Sequence, residues 1–108
     1  MSTIVKTPKP PYYAVIFSSL LNDDIEGYGE TAARMVELAA QQPGFLGVES
    51  AREGLGITVS YWADLESIKR WKANSEHRLA QKMGMKKWYS SYMTRIALVD
   101  RDYGSTPG

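Results

Sequence analysis

The chain has no cysteine and a single histidine, His77. The first absence excludes a disulfide framework, a thiolate metal site and a cysteine nucleophile together, and it fits a reducing compartment without requiring one. One histidine among scattered carboxylates supplies no ligand spacing of a zinc or facial-triad site, so no metal centre is expected. Charge of one sign is missing as well: 13 Lys and Arg stand against 12 Asp and Glu, which leaves no global field to recruit nucleic acid or an anionic membrane. No stretch approaches the roughly 18 apolar residues of a membrane span, and Met1 to Pro11 carries lysines without the apolar run of a signal peptide. The expectation is a cytoplasmic protein that binds neither nucleic acid nor membrane. Gly27 and Gly29 lack the remainder of a phosphate-binding loop and fall inside a helical pattern, so they carry no nucleotide site.

The composition is that of a folded domain. Hydrophobic residues make up 44% of the 108, too many for a disordered chain, and the length leaves room for one core. A domain of this size buries roughly 65% of its unfolded surface, which makes it marginally stable alone and favours association.

Pro8, Pro10 and Pro11 stiffen an extended lead-in, so residues 1–11 are expected to be a flexible arm. Tyr12 to Leu21 (YYAVIFSSLL) is dense in aromatic and β-branched residues and reads as a strand. Asn22, Asp23 and Asp24 are candidate N-caps for a helix carrying Tyr28, Ala32, Met35, Val36 and Ala39, which Pro43-Gly44 stops. Phe45 to Glu53 alternates Phe45, Gly47 and Glu49 against Leu46, Val48 and Ser50. After the turn residues Gly54 and Gly56, Ile57 to Trp62 repeats that period, giving a hairpin. Asp64 caps a helix with Leu65, Ile68 and Trp71 on one stripe, and Asn74-Ser75 looks like a break before a second piece over 76–83. Gly84 suits a helix end, 85–89 reads as a loop, and Tyr92 to Asp100 alternates as a last strand. The order β-α-β-β-α-β is the ferredoxin-like α+β arrangement, with both helices on one face of a four-stranded antiparallel sheet. The domain spans 12–103, and 104–108 is a loose tail. Several strands are apolar on both faces, and a bare apolar face of several hundred Å² is rare on a monomer, so a homodimer is expected.

Pro43-Gly44-Phe45-Leu46-Gly47-Val48-Glu49, then Ile57-Thr58-Val59-Ser60-Tyr61-Trp62 with Leu65 to Trp71, and finally Glu76-His77-Arg78-Leu79-Ala80-Gln81 with Trp88 to Tyr92, Arg95-Ile96 and Val99 resemble the antibiotic biosynthesis monooxygenase (ABM) family. The resemblance runs from about Tyr12 to Tyr103. Its Pro-Gly-Phe turn and Trp spacing mark the dimeric α/β-barrel fold more than a reaction, and the stretch from His77 to Arg95 looks like an uncharacterised branch. It implies a homodimeric barrel with a pocket between sheet and helices in each subunit. Some members resembling it oxygenate anthrones or quinols without metal or flavin, and others bind and degrade heme. The heme-degrading branch implies an Asn near the end of strand one, a Trp on helix two and a His about three turns further on. Trp71 suits, but Gln81 stands where the His would fall and Phe17-Ser18 where the Asn would, so heme is disfavoured.

A cofactor-independent oxygenase needs a base, an anion holder and a dry pocket, because a deprotonated phenol or enol can itself pass an electron to dioxygen. His77 is the one side chain whose ordinary pKa suits proton transfer near neutrality. Arg95, mid-strand among apolar neighbours, is the candidate anion holder. Trp62, Trp71, Trp88, Tyr89 and Tyr92 are the candidate walls for a planar substrate. Each also has a structural reading. His77 can cap a helix, Arg95 can pair with Glu49 or Asp100, Trp71 can pack the core, and Trp88 and Tyr89 can serve a dimer interface. The expected function is oxidation of a small aromatic, quinol or polyketide-like molecule with dioxygen. The alternatives are a heme- or other ligand-binding protein of the same fold and a non-catalytic dimeric module.

Overall fold

The computed structural model describes residues 3–74 and 87–105. β-branched and aromatic residues give β1, Tyr12–Leu21, the length to run through the middle of the sheet. Helix α1, Tyr28–Ala40, begins later than its acidic lead-in predicts. Gly27 adopts the left-handed conformation at the N-cap (φ 83°), and Asp24 turns its carboxylate onto the Glu26 amide without capping the helix. The hairpin of β2, Phe45–Arg52, and β3, Gly56–Trp62, follows. Helix α2, Leu65–Ala73, is capped as expected, Asp64 Oδ1 accepting the Ser67 amide at 2.8 Å. The expected second piece of this helix, 76–83, lies outside the described residues. The last strand, β4, is Tyr89–Val99. It starts earlier than its alternation predicts because a register shift between Leu20 and Leu21 lets Leu21 pair with Tyr89.

The elements run β-α-β-β-α-β, and the sheet order is β2-β3-β1-β4 with every pair antiparallel. This is the ferredoxin-like arrangement. Residues directly opposite one another in the register share a face. On the helix-facing side Phe45, Trp62 and Tyr13 form one row, over which Ala39 of α1 and Ile68 and Trp71 of α2 close the core. An irregularity between Phe45 and Gly47 adds one residue to β2. Phe45 therefore lies on the same face as Val48, not with Gly47 and Glu49 as strict alternation predicts.

Among the described residues, the opposite face has no helix. At one end the N-terminal segment crosses it: Val5 lies over Gly47, where there is no side chain to meet it, and the Val5 amide donates to Glu49 Oε2 at 2.9 Å. Tyr61 donates to the other Glu49 oxygen at 2.7 Å. The Tyr12 hydroxyl accepts from Thr7 and donates to Asp102. Tyr12 and Ala14 are buried there in consequence. Beyond that end the face is open, with Ile57, Met93 and Leu20 all exposed.

Candidate active site

The helix-facing side of the sheet changes character along the strands. The row of Phe45, Trp62, Tyr13 and Leu98 gives way to Val48, Ser60, Val15 and Ile96, then to Ser50, Thr58, Phe17 and Thr94. The last row is Arg52, Gly56, Ser19 and Tyr92. Apolar packing thus grades into a floor of hydroxyls and rings, ending in a cation.

Rings converge at that polar end. Phe17 meets Tyr89 edge-on at 5.3 Å and Tyr92 at 6.0 Å, and Tyr28, in the first turn of α1, stands perpendicular to Tyr89 at 5.9 Å. Burial pushes the Tyr89 phenol well above its ordinary range. A hydrogen bond with the Tyr28 phenol raises it further, while the Arg52 cation opposes the shift. Trp88 is buried behind this group. Its Nε1 donates to the Glu26 carbonyl at 3.0 Å, its ring stands edge-on to Tyr28, and its carbonyl accepts the Asn22 amide. It fixes the approach to α1 against the start of β4.

Arg52 reaches this end by crossing a strand. From β2 its guanidinium passes over Gly56 of β3 to Ser19 of β1, Nη1 donating to the Ser19 carbonyl at 3.1 Å and Nη2 to Ser19 Oγ at 2.5 Å. A Cβ on Gly56 would overlap the guanidinium, so the route exists only over glycine. Ser19 is buried, and its neighbour on β4 is Tyr92.

The structure divides the residues singled out in the sequence. Tyr89 and Tyr92 come together, with Trp88 behind them. Trp62 and Trp71 form a second group at the apolar end, their rings nearly parallel at 6.2 Å. Trp62 has no exposed surface and bonds Ser60 Oγ through Nε1 at 2.9 Å, so it fills the core. The two groups are paired with Ser19 and Tyr13 respectively, ~20 Å apart along β1. Arg95 lies opposite Ile16 on the other side of the sheet, exposed, and so does not join either ring group. A Glu49–Arg95 pair is not formed either. Val59 and Ile16 stand between them, ~14 Å of sheet, and Glu49 is occupied by Val5 and Tyr61. His77 lies outside the described residues. The sequence reading did not single out Arg52, Ser19 and Tyr28. Their one signal in the sequence is a basic residue, Arg52, near the end of an alternating segment and two residues before Gly54.

A family model described as antibiotic biosynthesis monooxygenase matches residues 11–83. Uncharacterized protein YqjZ of Bacillus subtilis (strain 168) is 58% identical over 103 residues, covering 94% of this chain and 90% of that protein. Among solved structures, protein SO0527 from Shewanella oneidensis superposes with a TM-score of 0.73 at 12% identity, over 89% of this chain and 97% of that one. SnoaB, a cofactor-independent oxygenase from Streptomyces nogalater, does so with a TM-score of 0.69 at 14% identity, over 88% and 97%. At such identities the two structures speak for the fold.

Proposed function

The chain belongs to the antibiotic biosynthesis monooxygenase family, and on that premise we propose that it oxidises a small aromatic, quinol or polyketide-like substrate with dioxygen and without a bound cofactor. The observation that carries this reading is the ring-lined end of the helix-facing sheet, where Phe17, Tyr89 and Tyr92 offer stacking surfaces beside phenol hydroxyls. SnoaB, of the same fold, is named as a cofactor-independent oxygenase, which supports the absence of a cofactor here.

The chemistry asks little of the protein. His77 takes the proton of a phenol or enol, and the resulting anion passes one electron to dioxygen. The carbon radical and superoxide recombine to form a C–O bond, and the peroxide picks up the proton. Loss of water then makes that carbon a carbonyl; counted on the keto tautomer of the substrate, CH₂ plus O₂ gives C=O plus H₂O. The aromatic side chains hold the ring plane and exclude water while the anion is exposed to oxygen. Trp71 and Trp62 stiffen the far end of the wall.

A second copy of the chain is proposed to cover the open sheet face, where Leu20, Ile57 and Met93 are 43%, 40% and 52% exposed. Arg95 shares that face, so its charge belongs to the contact between subunits.

The test is oxygen uptake by metal-free protein with anthrones and dihydroxynaphthalenes. Uptake above the uncatalysed rate is expected, reduced about 100-fold or more in His77→Ala. No uptake across the panel, or uptake indifferent to the loss of His77, would overturn the reading.

A further inference from the structure

We infer that Arg52 selects substrates that carry an ionised oxygen on a planar ring, an enolate or phenolate, and that Ser19 and Gly56 exist in this sheet to aim it. The inference rests on the reading of the ring-lined face as a substrate site and names what that site prefers.

Three observations point the same way. Two of the five guanidinium N–H groups are spent on Ser19, which fixes the plane of the fork, and among the described residues no acceptor is recorded for the others. A fork held on one edge and open on the other is preorganised for an oxygen anion, because its rotamer entropy is already lost before the ligand arrives. No carboxylate is ion-paired with it among the described residues. A cation kept without a countercharge beside rings is suited to a ligand that brings the charge.

The second observation is position. Ser19 faces Tyr92 directly across β1 and β4, and the guanidinium is close enough to Tyr89 to act on its ionisation. The cation therefore stands at the edge of the same rings that would stack on a planar substrate. Its outer side is accessible, since Arg52 as a whole is an exposed residue.

The third is the missing side chain at position 56. Gly56 is buried in the strand and shows no left-handed backbone, so backbone strain does not exclude alanine there, and the three atoms that a Cβ would meet first all belong to the Arg52 guanidinium. Arg95, by contrast, projects from the other face and cannot reach these rings without leaving the sheet.

The experiment is a fluorescence titration in which the protein's tryptophan emission is quenched by 2-hydroxy-1,4-naphthoquinone, an acidic enol ionised at neutral pH, or by its neutral 2-methoxy ether. The wild type is expected to bind the hydroxyquinone about tenfold or more tightly than the ether, as a charge-assisted hydrogen bond allows. Arg52→Gln abolishes that preference and Arg52→Lys keeps part of it. Gly56→Ala, which retains the cation but pushes it off Ser19, abolishes it too, and Arg95→Gln leaves it intact. An equal preference in Arg52→Gln and wild type, or no binding of either quinone by the wild type, overturns the inference. If Arg52→Gln fails to fold, the Gly56→Ala and Arg52→Lys titrations decide. An Arg52-dependent preference in a protein that consumes no oxygen removes the oxygenase and leaves this binding site standing.

Discussion

Tyr61 shows how single side chains tie the N-terminal segment to the sheet. Burial, and then the hydrogen bond to Glu49, push its phenol up to about 12, and burial and Asp102 raise Tyr12 likewise. A phenol whose pKa is higher in the folded than in the unfolded chain favours the fold in its neutral form. That contribution is complete below the free value near 10 and is lost as pH rises through about 12. Melting temperature is therefore expected to fall steeply between about pH 10 and 12, and Tyr61→Phe should flatten the fall, as thermal melts across that range by circular dichroism would show. An unchanged slope would mean that the Tyr61 bond to Glu49 is not maintained in solution. The residues of the site were less legible than these. Arg52 reads as a charged strand end until the register places Gly56 beside it and Ser19 beyond.

Among the elements, α2 is the one whose sequence signal and geometry agree most closely. Asp64 accepts both the amide and the hydroxyl of Ser67, and these bonds hold its carboxyl below the ordinary range, with Arg70 adding to the effect. A depressed folded pKa means that the cap contributes above the free carboxylate value near 3.9 and fades as pH falls through the folded one. Asp64→Ala is expected to lower the melting temperature by several degrees at pH 7, while wild type and variant converge toward pH 2. Parallel melting curves down to acid would contradict the assignment. Helix α1 lacks such a cap, because Gly27 turns the chain by its left-handed backbone, and that is why three acidic or amide residues upstream misplace its start. The strands were legible in existence but not in phase. One added residue near Leu46 moves Phe45 to the core side, and the Leu20/Leu21 shift lengthens β4 at its start.

At the level of the assembled chain, the two faces of one sheet have different fates. The helices close one face over Trp62, and the N-terminal segment covers one end of the other, leaving Ile57 and Met93 uncovered. If a second copy covers them, light scattering will give twice the chain's mass. Ile57→Lys or Met93→Lys should then release monomers that keep the wild-type circular dichroism spectrum, since a lysine at an exposed position costs the folded monomer little. A dimer that survives both substitutions would place the contact elsewhere. Among the described residues no helix is long and apolar enough to cross a membrane.

Composition and local pattern alone determined the element order, the Asp64 cap, the stop at Pro43-Gly44 and the exclusion of disulfide and thiolate chemistry, because each follows from a residue's own covalent structure or from neighbours a few positions away. Only the tertiary structure decided that the Tyr92 side of β4, and not the Arg95 side, faces the helices, that Trp62 is core, and that Arg52 reaches Ser19. Those outcomes depend on which residues stand opposite one another across strands distant in the chain. A single bulge inverts that parity, and no window of sequence contains it.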